Sequence, residues 1–243
     1  LVTLGIPASL QPLVAEKLTE VTTVPLKDNG RGHLIPESFG GVEKLLQNKD
    51  VLAIGPGCGK NPGVLEILRN ILAGFHIPIV IDADGLNHIS KDMNLLKAFR
   101  QYPVILTPHP GEMSTLTGID LKDILKFPAE IASAMARKYS VTILLKGATS
   151  VVASPSRRIY LNRSGNSGMG KGGSGDVLTG MIASLIAQGY DTFDATVLGC
   201  YIHGRAGDEA ADRVGEVGMM AGDLIDAIPR VFQKLYAIRK KSE

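Results

Sequence analysis

Seven short runs of aliphatic and β-branched residues recur along the first two thirds of the chain: LVTLGI, VTTVPL (21–26), VLAIG (51–55), IPIVIDA (77–83), PVILT (103–107), VTILLK (141–146) and SVVAS (150–154). Most are apolar at consecutive positions, not alternate ones, which suits strands buried on both faces, as a parallel sheet under two helical layers requires. Helical patterns at 62–73 and 128–138 fall between them. This alternation predicts a doubly wound α/β layer structure. After RRIYLN (157–162) the pattern changes to almost continuous helix, over 176–188, 192–213 and 219–239. With 243 residues and 44% hydrophobic content, the chain can bury one large core, and residues 1–243 read as a single domain.

Charge and cysteine usage narrow the function. A net charge of +2 from 26 basic and 24 acidic residues gives no general attraction to nucleic acid. The one basic run, Arg239, Lys240 and Lys241, reads as a solvated helix end. Cys58 and Cys200 are too far apart for a CxxC motif and read as ordinary thiols of a reducing compartment. The most apolar stretch, Val177 to Ala187, is interrupted by Thr179, Gly180 and Ser184 and is too short for a bilayer, and no signal peptide is visible. A cytoplasmic protein with no nucleic-acid or membrane partner is expected.

Ligands of an open α/β sheet bind beyond the carboxyl ends of its strands. That is where GPGCGK, DADGLN, TPHPGE and KGATS fall, after the strands at 51, 77, 103 and 141. Each is also a plausible turn, but four at one rim point to a cleft. The densest glycine segment is GNSGMGKGGSGDVLTG (165–180). Its Gly168, Gly170 and Gly173 match GxGxxG, yet mostly helix follows instead of a second βα unit, which rejects a dinucleotide fingerprint. Walker A fails as well, because Gly172 stands where Ser or Thr should hold magnesium. What remains is GGSGD opening an apolar helix, whose free N–H groups and dipole favour an anion. Asp176 beside that anion is either a helix cap or a general base.

These features resemble the ribokinase-like superfamily and, within it, the NAD(P)H-hydrate dehydratases. The resemblance rests on AIGPGCG (53–59), VIDADGLN (80–87), ILTPHPGEMSTLTG (105–118), ILLKGATSVV (143–152), NRSGNSGMGKGGSGDVLTGMI (162–182) and LGCYIHGRAGDEA (198–210). It implies a three-layer α/β/α sandwich and a lyase that returns the S epimer of hydrated NADH or NADPH to the working cofactor. ADP or ATP with Mg2+ would serve as phosphoryl donor. It places Gly57, His109 and Asp176 against the substrate. The nucleotide would be lined by Lys146, Gly147, Ala148, Thr149 and Ser150, and by Asn166, Ser167, Gly168, Met169, Gly170, Lys171, Gly172, Gly173, Ser174 and Gly175. Phosphorylation turns a poor leaving group, the ring hydroxyl, into phosphate, which the ring nitrogen's lone pair can expel. Asp176 would take the hydroxyl proton while the loop amides hold the moving phosphoryl. No dedicated metal cage is visible. The resemblance also implies homo-oligomers and, in some proteins, a fused or associated epimerase. The alternative is a ribokinase-like small-molecule kinase of the hydroxymethylpyrimidine or hydroxyethylthiazole type.

Other polar residues have plainer readings. Asp82 and Asp84 suit an Asx turn or magnesium contact through water, His203 a packing or capping role, and Lys171 either phosphate steering or a solvated loop. Glu112 falls in the first turn after Pro110, where a carboxylate complements the helix dipole. Family members carry a strand, a helix and an alanine-rich substrate-touching segment ahead of the position where LVTLGIP stands, so an N-terminally incomplete domain is expected.

Overall fold

The computed structural model describes residues 1–98 and 102–242. Its first unit comprises β1 (Thr3–Pro7), α1 (Gln11–Ala15), β2 (Thr22–Leu26) and α2 (Phe39–Leu46). The expected βα alternation follows: β3 (Leu52–Ile54), α3 (Pro62–Gly74), β4 (Ile79–Ile81), α4 (Asp84–Ile89), α5 (Asn94–Ala98), β5 (Val104–Leu106), α6 (Pro110–Thr117), α7 (Leu121–Lys126), α8 (Pro128–Tyr139) and β6 (Thr142–Leu145). The hairpin of β7 (Ser150–Ala153) and β8 (Ile159–Asn162) leads into α9 (Ser174–Ala187), α10 (Thr192–Val214) and α11 (Ala221–Ser242). The side chains of Arg239, Lys240 and Lys241 lie outside the described residues.

Six strands form one sheet in the order β3-β4-β5-β6-β7-β8, with β3 to β6 parallel and the last two strands antiparallel. Strands β1 and β2 pair parallel with each other and stand apart from that sheet. Alternation along the strands separates the two helical layers. Ile79, Ile81, Leu106, Ile143, Leu145 and Val151 face a core shared with α3, α4, α6 and α8. Val80, Ile105, Leu144 and Val152, one residue out of phase, face Leu178, Ile182, Ile202 and Leu224 of α9, α10 and α11. Both faces are therefore apolar and covered, which is why these strands read as unbroken hydrophobic runs.

Helix starts follow local chemistry. Asn61 caps α3 by accepting from the Gly63 amide at 2.9 Å, with Pro62 at the first helical position. Among the described residues no helix is long and apolar enough to cross a membrane.

The segment after β8 is fastened to α10. Asn162 Nδ2 donates to the Ser164 and Cys200 carbonyls, and Ser164 Oγ lies 3.2 Å from the Tyr201 carbonyl. This contact requires glycine at 204, where a Cβ would come within 2.1 Å of Ser164 Oγ. By contrast, a Cβ at Gly180 inside α9 would meet nothing within 4 Å. Gly204→Ala should therefore destabilise by roughly 1–3 kcal/mol, whereas Gly180→Ala should stabilise by about 0.5–1 kcal/mol. Urea unfolding of both variants reads the opposite signs.

Candidate active site

Parallel pairing sends four exits to one rim: Gly55 to Lys60 after β3, Asp82 and Ala83 after β4, Thr107 to His109 after β5, and Lys146 to Thr149 after β6. The glycine-rich segment reaches the same place, because a Cβ at Gly175 would stand 3.3 Å from Lys146 Nζ and 3.5 Å from Asp82 Oδ2. The start of α9 is open. Its N-cap, Gly173, has φ +90°, a left-handed conformation suited to glycine, and no side chain caps the turn. The first amides of this 14-residue helix have no side-chain acceptor, the Ser174 amide making only a long bond of 3.4 Å to the Lys171 carbonyl, and such a helix start favours an anion.

Asp176 sits in that first turn. Partial desolvation, with the nearby Asp82 charge adding to it, raises its carboxyl above the ordinary carboxylate range, and Lys146 opposes the shift. Asp82 is 1% exposed, and both its oxygens are occupied: Oδ1 by Lys146 Nζ at 2.8 Å and Oδ2 by Thr179 Oγ1 at 2.8 Å. Lys146 Nζ also lies 3.9 Å from Glu112 Oε2. Glu112 and His109 form a capping box on α6: the Glu112 carboxylate accepts from the His109 amide at 2.8 Å, and His109 Nδ1 accepts from Gly111 and Glu112. His109 Nε2, carrying the ring proton, lies 3.4 Å from Glu112 Oε1.

Of the two readings open for DADGLN, an Asx turn and magnesium contact, the first is not formed, because both aspartates bond outside the segment and the second already belongs to α4. Ala83 between the two aspartates has φ +48°, a conformation costing about 1–3 kcal/mol for a residue with a Cβ. The turn sends Asp82 toward Lys146 and Asp84 toward the loop after β3. Asp84 Oδ2 accepts from the Gly59 amide at 2.9 Å, and His88, one helical turn further on, donates from Nε2 to the Gly59 carbonyl at 2.8 Å. Two side chains at i and i+4 thus hold both sides of Gly59 and fix the loop that contains Gly57. Spacing alone could have flagged that pair. Nothing in the sequence flags Thr179 as a partner of a residue 97 positions away.

The remaining expected residues are distributed as follows. Gly147 and Ser150 close the turn between β6 and β7, where Ser150 Oγ meets the Gly147 amide and carbonyl, and Ala148 and Thr149 are exposed at its tip. Asn166 Oδ1 accepts from the Gly168 amide at 3.0 Å, while its buried Nδ2 has no partner among the described residues. Ser167 bonds Glu216 through side chains, and Met169 fills space beside Gly165 and Gly207. Gly170, Gly172 and Ser174 complete the turn ahead of Gly175. Lys171 is not a solvated loop lysine: its ammonium donates to the carbonyls of Glu216, Val217 and Met219 at 3.4, 2.6 and 2.8 Å. Both cysteines are free, with burial raising Cys58 and pushing Cys200 up to about 12. Among the described residues no cluster of three His, Cys, Asp or Glu side chains has metal-binding geometry.

Helices on both faces of a mostly parallel sheet, with the strand exits gathered at one rim beside α9, give the chain a ribokinase-like α/β/α fold. The chain belongs to the NAD(P)H-hydrate dehydratase family, whose model matches residues 13–230. It is 43% identical over 235 residues to the bifunctional NAD(P)H-hydrate repair enzyme Nnr of Moorella thermoacetica, covering 97% of this chain and 44% of that protein. The ADP-dependent (S)-NAD(P)H-hydrate dehydratase of Xanthomonas campestris is 32% identical, with 96% and 78% covered. The ADP/ATP-dependent NAD(P)H-hydrate dehydratase of Bacillus subtilis, co-crystallised with ATP and Mg2+, superposes with a TM-score of 0.79 at 28% identity, covering 96% of this chain and 78% of that one. The chain spans less than half the length of the bifunctional relatives it matches.

His203 has the packing role expected of it. It is buried on α10, and its Nε2 donates to the Ser174 carbonyl at 2.9 Å, supporting the glycine turn from beneath. Burial lowers its pKa from 6.5 to about 4. Above about pH 6.5 the ring is neutral folded and unfolded. Below that the unfolded chain takes up the proton first, so stability falls as pH drops toward 4, by about 3 kcal/mol in all. His203→Gln should flatten the dependence of unfolding free energy on pH across that window, read by denaturant titration.

Proposed function

We propose that the chain catalyses nucleotide-dependent dehydration of the S epimer of NAD(P)H hydrate, with ADP or ATP as phosphoryl donor. The observation that carries this reading is Asp176 in the first turn of a helix whose start is left uncapped for an anion. The nucleotide fits the residues present: the open N–H groups after Gly173 suit its phosphates, and the unpartnered Asn166 Nδ2 is a buried donor in the same loop. Magnesium would arrive with the nucleotide co-substrate and offset its phosphate charge.

In this reading the loop after β3, held by Asp84 and His88 at Gly59, places Gly57 against the hydrated ring, and His109 does so from the cap of α6. Asp176 accepts the ring hydroxyl proton as the oxygen attacks the terminal phosphorus, and its raised pKa brings it nearer to a working base. The amides of Gly173, Ser174 and Gly175 stabilise the charge on the transferring group. The ring nitrogen's lone pair then expels phosphate, which needs no further acid because it leaves as an anion, and the iminium so formed loses a proton from the adjacent ring carbon to water or to the departing phosphate, which restores the double bond.

The (S)-specific relative and the ATP–Mg2+ co-crystal support this assignment. The bifunctional relatives support an epimerase partner, fused or separate. Two free thiols support a reducing, cytoplasmic setting. Exposed Leu125, Phe127, Ile225 and Tyr236 support self-association, which light scattering checks against the 25.8 kDa chain mass: a monomer at working concentration rejects it.

Incubating hydrated NADH with protein, Mg2+ and ADP or ATP should restore the absorbance of the reduced nicotinamide, whereas a stable phosphate ester would mark a small-molecule kinase instead. Asp176→Asn should lower turnover by roughly 10² to 10⁴ with nucleotide affinity nearly unchanged. Gly173→Val should weaken nucleotide binding, because a β-branched residue resists φ +90°. Near-normal turnover in folded Asp176→Asn would reject Asp176 as the base.

A further inference from the structure

The most deeply buried charge near the rim belongs to none of the residues assigned to substrate or nucleotide. Asp82, 1% exposed, joins three elements through its two oxygens: the end of β4, the ammonium that follows β6, and Thr179 one turn into α9. Thr179 is 3% exposed, so this contact is also withdrawn from water. Thr179 lies three residues after Asp176, which puts both on one side of the helix. The Gly175 backbone closes the space above, since a Cβ there would approach both Lys146 Nζ and Asp82 Oδ2.

We propose that Asp82 is a positioning residue, locking the Lys146 ammonium and the first turn of α9 into one rigid unit around Asp176. The inference deepens the assignment of Asp176 as base and rests on it for its catalytic meaning. Three consequences follow from the geometry. A lysine on a flexible stem is held at the start of α9, where phosphoryl charge develops, without swinging to solvent. The helix bearing the base is tied to the sheet edge by a buried hydrogen bond instead of by packing alone. The paired charges oppose each other at Asp176, the Asp82 carboxylate favouring its protonated form and the Lys146 ammonium its ionised form.

The other groups around this unit are few. From α6, Glu112 lies 3.9 Å from Lys146 Nζ and is itself held in the capping box with His109. From α10, neutral His203 meets the Ser174 carbonyl. The Lys171 ammonium is turned away onto the carbonyls of 216–219. Asp82 and Lys146 therefore dominate the local field.

The test is carboxyl 13C titration of Asp176 by NMR in the full chain, alongside pH profiles of kcat. Asp82→Asn keeps an acceptor for Lys146 and removes the charge, so Asp176 should titrate at lower pH than in the unaltered protein. Adding Lys146→Met to that variant removes the ammonium without stranding a buried carboxylate, and should move the titration back upward. The acid limb of kcat should follow both directions, and Asp82→Asn should lose about 10- to 100-fold in kcat with little change in nucleotide KM. If Asp176 titrates identically in all three proteins, the proposal is overturned. If the NMR titration moves while the acid limb does not, Asp82 keeps its positioning role and the assignment of Asp176 as base fails instead. Should Asp82→Asn not fold, Thr179→Ser and Thr179→Val provide a second comparison: Ser should preserve the Asp176 titration and kcat, Val should change both, and equal behaviour of the two overturns the proposal.

Discussion

Parallel hydrogen bonding between β3, β4, β5 and β6 is the constraint on which the rest of the molecule depends. It requires every chain crossing to return over a helical layer, and it makes all four strands end at one edge. Polar residues that would be scattered in an antiparallel sheet are thereby gathered: Gly57 and Gly59, Asp82, His109 and Lys146 come from stretches tens of residues apart. The two helical layers supply the apolar cover that lets short strands of three or four residues persist.

The second requirement is a helix start left without a cap. Four helices satisfy their first amides with a side chain, as Asn61, His109, Asp120 and Asp191 do for α3, α6, α7 and α10. α9, like α1, α2, α4 and α8, has no side-chain cap, and what sets it apart is a left-handed glycine, Gly173, at its N-cap.

The sheet was legible because burial on both faces removes polar residues from the strands, so IPIVIDA and VTILLK announce themselves. α3 and α8 were legible from helical periodicity and from Pro62 and Pro128 at their first positions. The strands were shorter than the apolar runs suggested: β4 ends at Ile81 and β6 at Leu145, although the Asp82 and Lys146 amides still bond the Ile54 and Pro108 carbonyls. α4 was hidden, since DADG has the composition of a turn and its helical character depends on contacts to Gly59 from across the rim. Of the two readings open for Lys171, phosphate steering and a solvated loop, the second gives way because the folded chain brings three carbonyls of a distant turn around its ammonium.

That lysine has a mechanical consequence. With Ser167 bonded to Glu216 and the Lys171 ammonium clasping residues 216–219, the glycine segment is stitched to the bend between α10 and α11. The two stretches form a single opening unit, so amide exchange in one is linked to amide exchange in the other. A phosphate that stiffens the first would slow solvent exchange some fifty residues downstream, in a bend that never touches it.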